Sequence, residues 1–131
     1  MAQYSGMGLD YTFSACGDLG AYQYYFVKCA STLRRVDIAN GASDPIALGV
    51  LQNDPYNGDL ATVRLLGITK VFFSGSVAAE VGTLLSSGSG GAAEVSSGSA
   101  FYGISMNAIP AGTGYISMLL WPNVTLVAGT K

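Results

Sequence analysis

Histidine is absent from this 131-residue chain, which removes the usual general base, a common metal ligand and the middle member of a nucleophilic triad. Enzyme readings lose most of their support with it. The acidic pair Asp54 and Asp59 remains for a hydrolase, but both lie in a turn, where aspartate is favoured for bonding to nearby backbone. No cofactor is expected. The oxygen-rich loop from Asn53 to Asp59 lacks the alternating acidic ligands and bidentate glutamate of a calcium-binding EF-hand. The Gly-rich stretch from Ser86 to Gly91 carries no lysine and opens no helix, as a phosphate cradle would.

Charge is scarce as well, at 11% of residues against 50% hydrophobic. The net charge is −2 and the six basic residues are scattered, so there is no electrostatic footprint for a phosphate backbone and nucleic acid is not an expected partner. No run of about 18 apolar residues exists to span a bilayer, so no membrane partner is expected either. Too few charges to cover a monomer's surface imply that neighbours cover part of it, and assembly is the natural inference. The two cysteines, Cys16 and Cys29, make neither a disulfide framework nor a four-ligand zinc site. Reduced thiols are expected, with a cross-strand bridge as the geometric alternative. The opening MAQYSGMGLDYTF shows no positive segment followed by an apolar one, so synthesis in a cytoplasm is expected. The sequon Asn123-Val124-Thr125 then carries no chemistry.

What the chain has in quantity is strand and turn signal. From Ile46 to Leu66 two apolar runs flank Asn53, Asp54, Pro55, Asn57, Gly58 and Asp59, nearly every residue type that favours turns, and the stretch reads as a β-hairpin. Pro55 and Asn57-Gly58 suggest a loop longer than two residues. Tyr102 to Leu120 repeats the design: Gly49, Asn53 and Gly58 recur at one constant offset as Gly103, Asn107 and Gly112. We read a weak duplication, two similar hairpins in one closed sheet system, with chance similarity as the competing explanation.

Residues 1–10 mix Gly, Ser, Tyr, Met and Leu without periodicity and read as an extended arm, or else as a terminus with no role. Residues 11–131 make one domain, since no later segment is long enough for its own core. Tyr22 to Cys29 is aromatic and β-branched and predicts a long strand with Tyr22, Tyr24 and Phe26 on one face. Leu33 to Ile38 predicts another strand, and Gly67 separates two more, Ala61 to Leu66 and Ile68 to Phe73. Val77 to Leu85 fits either a short helix or, preferably, strand, turn and strand, because Gly82 interrupts the helical spacing. Ser86 to Ser99 reads as a surface loop with a brief strand at Ala92 to Val95, and the tail as one edge strand from Val124 to Val127. The class is all-β with at most one short helix: a small barrel or sandwich of hairpins behind an N-terminal arm.

The order of segments resembles the capsid decoration, or cement, proteins of tailed bacteriophages. The resemblance is carried by Phe13-Ser14-Ala15 with Asp18-Leu19, Gln23-Tyr24, Phe26-Val27-Lys28, Leu48 to Asn53, Gly58, Ala61-Thr62-Val63-Arg64, Gly67-Ile68-Thr69-Lys70-Val71, Gly103-Ile104, and Ile116 to Leu120. It implies a non-enzymatic homotrimer on the outer capsid surface of the virion that clamps major capsid protein subunits. The segment Met1 to Tyr11 becomes the capsid-gripping candidate and the hairpin loops come second, giving the interface set Tyr4, Met7, Leu9, Tyr11, Phe13, Tyr56 and Asn57. The Ser/Gly run and the extension after Leu120 depart from the family pattern. The alternative is a carbohydrate- or host-surface-binding β domain that stacks ligands on Tyr56, Tyr102 or Trp121.

Overall fold

The structure, a computed structural model, describes residues 8–31, 34–40, 47–96 and 101–123, with residues 121–123 described by backbone alone. Among these residues there are nine strands, a single 3-10 turn at Ser89–Gly91 and no α-helix. The strands are β1 (Leu9–Ala15), β2 (Phe26–Cys29), β3 (Arg35–Ile38), β4 (Ala47–Leu51), β5 (Leu60–Gly75), β6 (Leu84–Ser87), β7 (Ala93–Val95), β8 (Phe101–Ser105) and β9 (Gly112–Asn123). The expected all-β class holds, and β1 begins inside the stretch read as an arm.

Pairing closes the sheet twice. The order β1-β3-β2-β4-β5 returns on itself because β1 also pairs with β5, and β5-β7-β6-β8-β9 does the same because β9 also pairs with β5. In each ring the first and third strands are parallel and every other pair is antiparallel. Closure removes the open edges that a flat sheet would expose.

The two rings share β5, whose 16 residues run through both. Sequence punctuation at Gly67 suggested two strands; instead the chain continues, and Gly67 takes a φ of +116° at the point where β5 exchanges β1 for β9 as its neighbour. Glycine alone adopts that conformation without a side-chain clash. The period of two survives the bend, with Ala61, Val63, Thr69, Val71 and Phe73 inward and Leu60, Leu66, Ile68 and Lys70 outward.

The duplication is deeper than the two hairpins. Tyr24 N donates to Leu51 O and Leu51 N to Tyr25 O, while Gly82 N donates to Ser105 O and Ser105 N to Thr83 O. Gln52 N reaches Thr62 O as Met106 N reaches Ser117 O, and Ala39 N reaches Phe26 O as Ser96 N reaches Leu84 O. Asn53 and Asn107 each accept a backbone N–H from the returning strand, from Thr62 at 3.0 Å and Ser117 at 2.8 Å. Gly49 faces Val63 and the carbonyl of Arg64, as Gly103 faces Met118 and the carbonyl of Leu119. Any side chain there would meet the neighbouring strand, which is why both positions are glycine.

One further expectation is corrected. Tyr22 to Cys29 is not one long strand: β2 starts at Phe26, and residues 23–25 turn, with Tyr24 at a φ of +72°. Aromatic propensity loses here to the backbone bonds that Tyr24 and Tyr25 make with Leu51 and Phe72. Across Val77 to Leu85 the preferred reading is the nearer one: the isolated bridge Ala79–Ile109 and a turn precede β6, and no helix forms. Cys16 and Cys29 are free thiols. The edge strand expected at Val124 to Val127 lies outside the described residues.

Packing follows the two rings. Ala15, Leu19, Val27, Val36, Leu51, Ala61 and Val63 fill the first barrel. A larger cluster built on Val71, Phe73, Leu85, Ala93, Ile116, Met118 and Leu120 fills the second, and Phe26, Ala39, Ala47 and Val50 join it from the first half. Alternation along β2 and β4 explains this: Val27 and Leu51 point into their own barrel while Phe26 and Val50 point out and dock on the other. Gln52 adds a polar link, its side-chain amide donating to the buried Thr69 hydroxyl at 2.8 Å.

Candidate functional surfaces

One candidate surface surrounds the loop from Asn53 to Asp59, which closes one end of the first barrel. Its backbone is tied on both sides, with Leu19 N donating to Pro55 O, Gly58 N to Ala15 O and Ala15 N to Asp59 O. Asn57 serves this closure directly: its Oδ1 accepts from Gly17 N at 2.9 Å and from the Arg35 guanidinium at 3.1 Å. Its carbonyl is therefore turned inward, and Asn57 shapes the loop on which Tyr56, 64% exposed, stands outward. Asp59 accepts from Tyr56 N, a turn bond of the kind expected for aspartate, and Asp54 is exposed in the same loop.

The other expected interface residues lie along β1. Phe13 is half-buried beside Tyr11, ring centroids 5.7 Å apart, and Tyr11 is 61% exposed. A register shift between Leu9 and Asp10 pairs Leu9 with Leu66, and both are exposed beside Ile68. Asp10 meets Arg64 in a two-pronged ion pair of 2.6 and 2.9 Å, and the same guanidinium donates to Ile68 O across the Gly67 bend. The hydrogen bond to Asp10 raises the Arg64 pKa above its ordinary value against the opposing effect of burial, so it remains charged.

Leu9 and Ala15 are separated by roughly 20 Å of strand at about 3.3 Å per residue. The expected residues therefore fall at two ends of the first barrel: Tyr56 and Asn57 at one, Leu9 and Tyr11 at the other, with Phe13 between. Tyr4 and Met7 lie outside the described residues. Of the stacking candidates, Tyr102 is half-buried against Phe26, centroids 5.7 Å apart, with its hydroxyl accepting from Ala47 N at 3.4 Å. It belongs to the junction of the barrels. The side chain of Trp121 is not described.

A third surface went unnoticed in the sequence because its members are far apart along the chain. Tyr25 stacks on Phe72 with centroids 4.9 Å apart and planes 14° from parallel; Tyr22 meets Tyr25 edge-on, and Tyr115 meets both Phe72 and Tyr24 edge-on. Lys70 Nζ lies 5.1 Å from the Tyr24 ring and 5.6 Å from that of Tyr115, within cation–π range. Burial, reinforced by Tyr115 and Tyr22, raises the Tyr25 pKa, so its phenol stays neutral at physiological pH. The only early sign was the run Tyr22, Tyr24, Tyr25, which strand periodicity would have split between two faces.

No family model and no curated protein matches the chain. Among solved structures it is similar to the head fiber gp8.5 N base of bacteriophage phi29, with a TM-score of 0.62 at 20% identity, covering 87% of this chain and 94% of that one. At that identity the likeness is one of fold, and it spans both barrels.

Proposed function

We propose that this chain is a structural protein of a phage particle that binds the outer surface of the assembled capsid and stabilises contacts between major capsid protein subunits. The observation that carries the reading is the shared fold of both barrels with a phage head fiber base, and the segment resemblance to decoration proteins agrees with it. In this reading the protein is not an enzyme. It acts by linkage: a ligand that binds the assembled shell and not its separated subunits shifts the equilibrium toward the shell, and many copies make modest contacts sufficient.

A homotrimer is part of the proposal, and the duplication supports self-association. Phe26 and Val50 form a cross-strand pair that is fully buried against the second barrel. Their counterparts in the second barrel, Leu84 and Ile104, pair in the same way, yet Leu84 is 41% exposed. A docking face used once within the chain is thus presented again, free, on its other half. Leu84→Asp should reduce self-association in sedimentation equilibrium without unfolding the chain, because the site is open.

The decisive test is co-sedimentation with matching capsids that lack the protein, followed by heating. Saturable binding and a higher shell-disruption temperature are expected, and no binding would reject the capsid role. Tyr11→Ala and Tyr56→Ala then distinguish the two ends of the first barrel, since the variant at the end that touches the shell loses affinity.

A further inference from the structure

We propose that the ring cluster of Tyr24, Tyr25, Phe72 and Tyr115, with Lys70 among the rings, is a binding platform for an acidic sugar chain. The duplication gives an internal control. Tyr22, Tyr24 and Tyr25 occupy the places held in the second half by Glu80, Gly82 and Thr83, which make the same backbone bonds: Tyr25 N to Tyr22 O is repeated by Thr83 N to Glu80 O. The facing pair Phe72–Tyr115 corresponds to Ser14–Leu60 in the first half. The other half thus builds the same backbone without a ring at any of these positions, although here Tyr24 also packs against the core.

Tyr24 is placed there against a backbone preference. It holds a φ of +72° where its counterpart Gly82 holds +89°, a conformation that glycine takes freely and a tyrosine takes at a cost. Strain of this kind persists where surrounding contacts impose it, and it gathers at binding sites.

The chemistry of the surface selects the ligand. Tyr115, 53% exposed, is the open ring of the cluster beside the half-buried Tyr24, Tyr25 and Phe72; it suits the flat C–H faces of pyranose rings, while phenol hydroxyls match sugar hydroxyls. Among the described residues the Lys70 ammonium has ring contacts and no carboxylate partner, the nearby Arg64 being neutralised by Asp10. An anionic group on the ligand completes it. Single-stranded nucleic acid would also stack, but its charge at every nucleotide needs a basic track; the one lysine among these rings matches a sugar chain that carries a single anionic group.

The test is calorimetric titration of the full chain with a singly carboxylated oligosaccharide, a singly phosphorylated mannooligosaccharide, a neutral maltooligosaccharide and a single-stranded oligonucleotide. Binding of at least one acidic sugar above the neutral one is expected, and the stronger of the two identifies the anionic group. Tyr115→Ala should weaken it about ten-fold, and Lys70→Gln should abolish the preference for acidic over neutral chains. Both side chains are exposed, so both variants fold. No preference for either acidic sugar, tighter binding of the oligonucleotide, or binding unchanged in both variants would overturn the proposal. So would a Tyr115→Ala variant altered only in self-association.

Discussion

In the first barrel Ala15 lies across from Val36; in the second, the matching parallel pair is Phe73 and Ala93. Val63 and Leu51 in one become Met118 and Ser105 in the other, and all of these are buried. The same strand order and the same hydrogen bonds thus enclose a core of alanine, valine and leucine in one half and, in the other, a bulkier core in which the Phe73 ring packs with Leu85, Ile116, Met118 and Leu120. Cores tolerate such exchange when the enclosed volume is kept and the inward pattern is kept. What the halves hold in common is therefore what the backbone requires: glycine where strands approach, asparagine where a loop is tied, and alternation everywhere else.

Substitutions at matched positions test this. The largest effect is expected from Phe73→Ala, which leaves the second barrel with two alanines facing each other and should cost about 3–5 kcal/mol in urea unfolding. Next comes glycine at the close approach. Gly49→Ala drives a methyl into the backbone carbonyl of Arg64, whereas Gly103→Ala first meets the movable Met118 side chain. The first should cost about 3 kcal/mol and the second less, within the range for overpacking. Equal losses would show that Leu119 O, not Met118, sets the limit at Gly103.

The next pair, Gly82 and Tyr24, is asymmetric. Gly82→Ala should lose about 1–2 kcal/mol because its φ is left-handed, while Tyr24→Gly relieves the same strain and should change stability by less, its lost ring contacts opposing the gain. A large loss for Tyr24→Gly would make the ring a structural necessity. The smallest effect belongs to Asp10→Asn, which breaks a partly exposed ion pair whose matched positions in the second barrel are the uncharged Ile68 and Leu119: at most about 1 kcal/mol, and less at high salt.

The hairpins were legible in the sequence because their loops concentrate Asn, Pro and Gly in a small space, and their constant offset exposed half of the duplication. The other half was hidden. Phe26 and Leu84, or Tyr24 and Gly82, do the same backbone work with unrelated side chains, so likeness of role leaves no likeness of residue. Tyr56 was expected to be exposed on its loop and is, but the division of the expected interface set between two ends of the barrel depends on strand register. The ring cluster depends on a turn that aromatic propensity argued against and on contacts between Tyr25, Phe72 and Tyr115 that are distant in sequence.

Because β5 belongs to both barrels, the molecule has no linker between its halves. A pull on one half travels to the other along a covalent ribbon clamped by antiparallel neighbours at both ends, and the cross-strand bonds beside it are loaded together in shear. Two domains joined by a flexible tether would part first at the tether. Here the connection is the best-braced strand in the fold, and under load the pair should behave as a single stiff rivet.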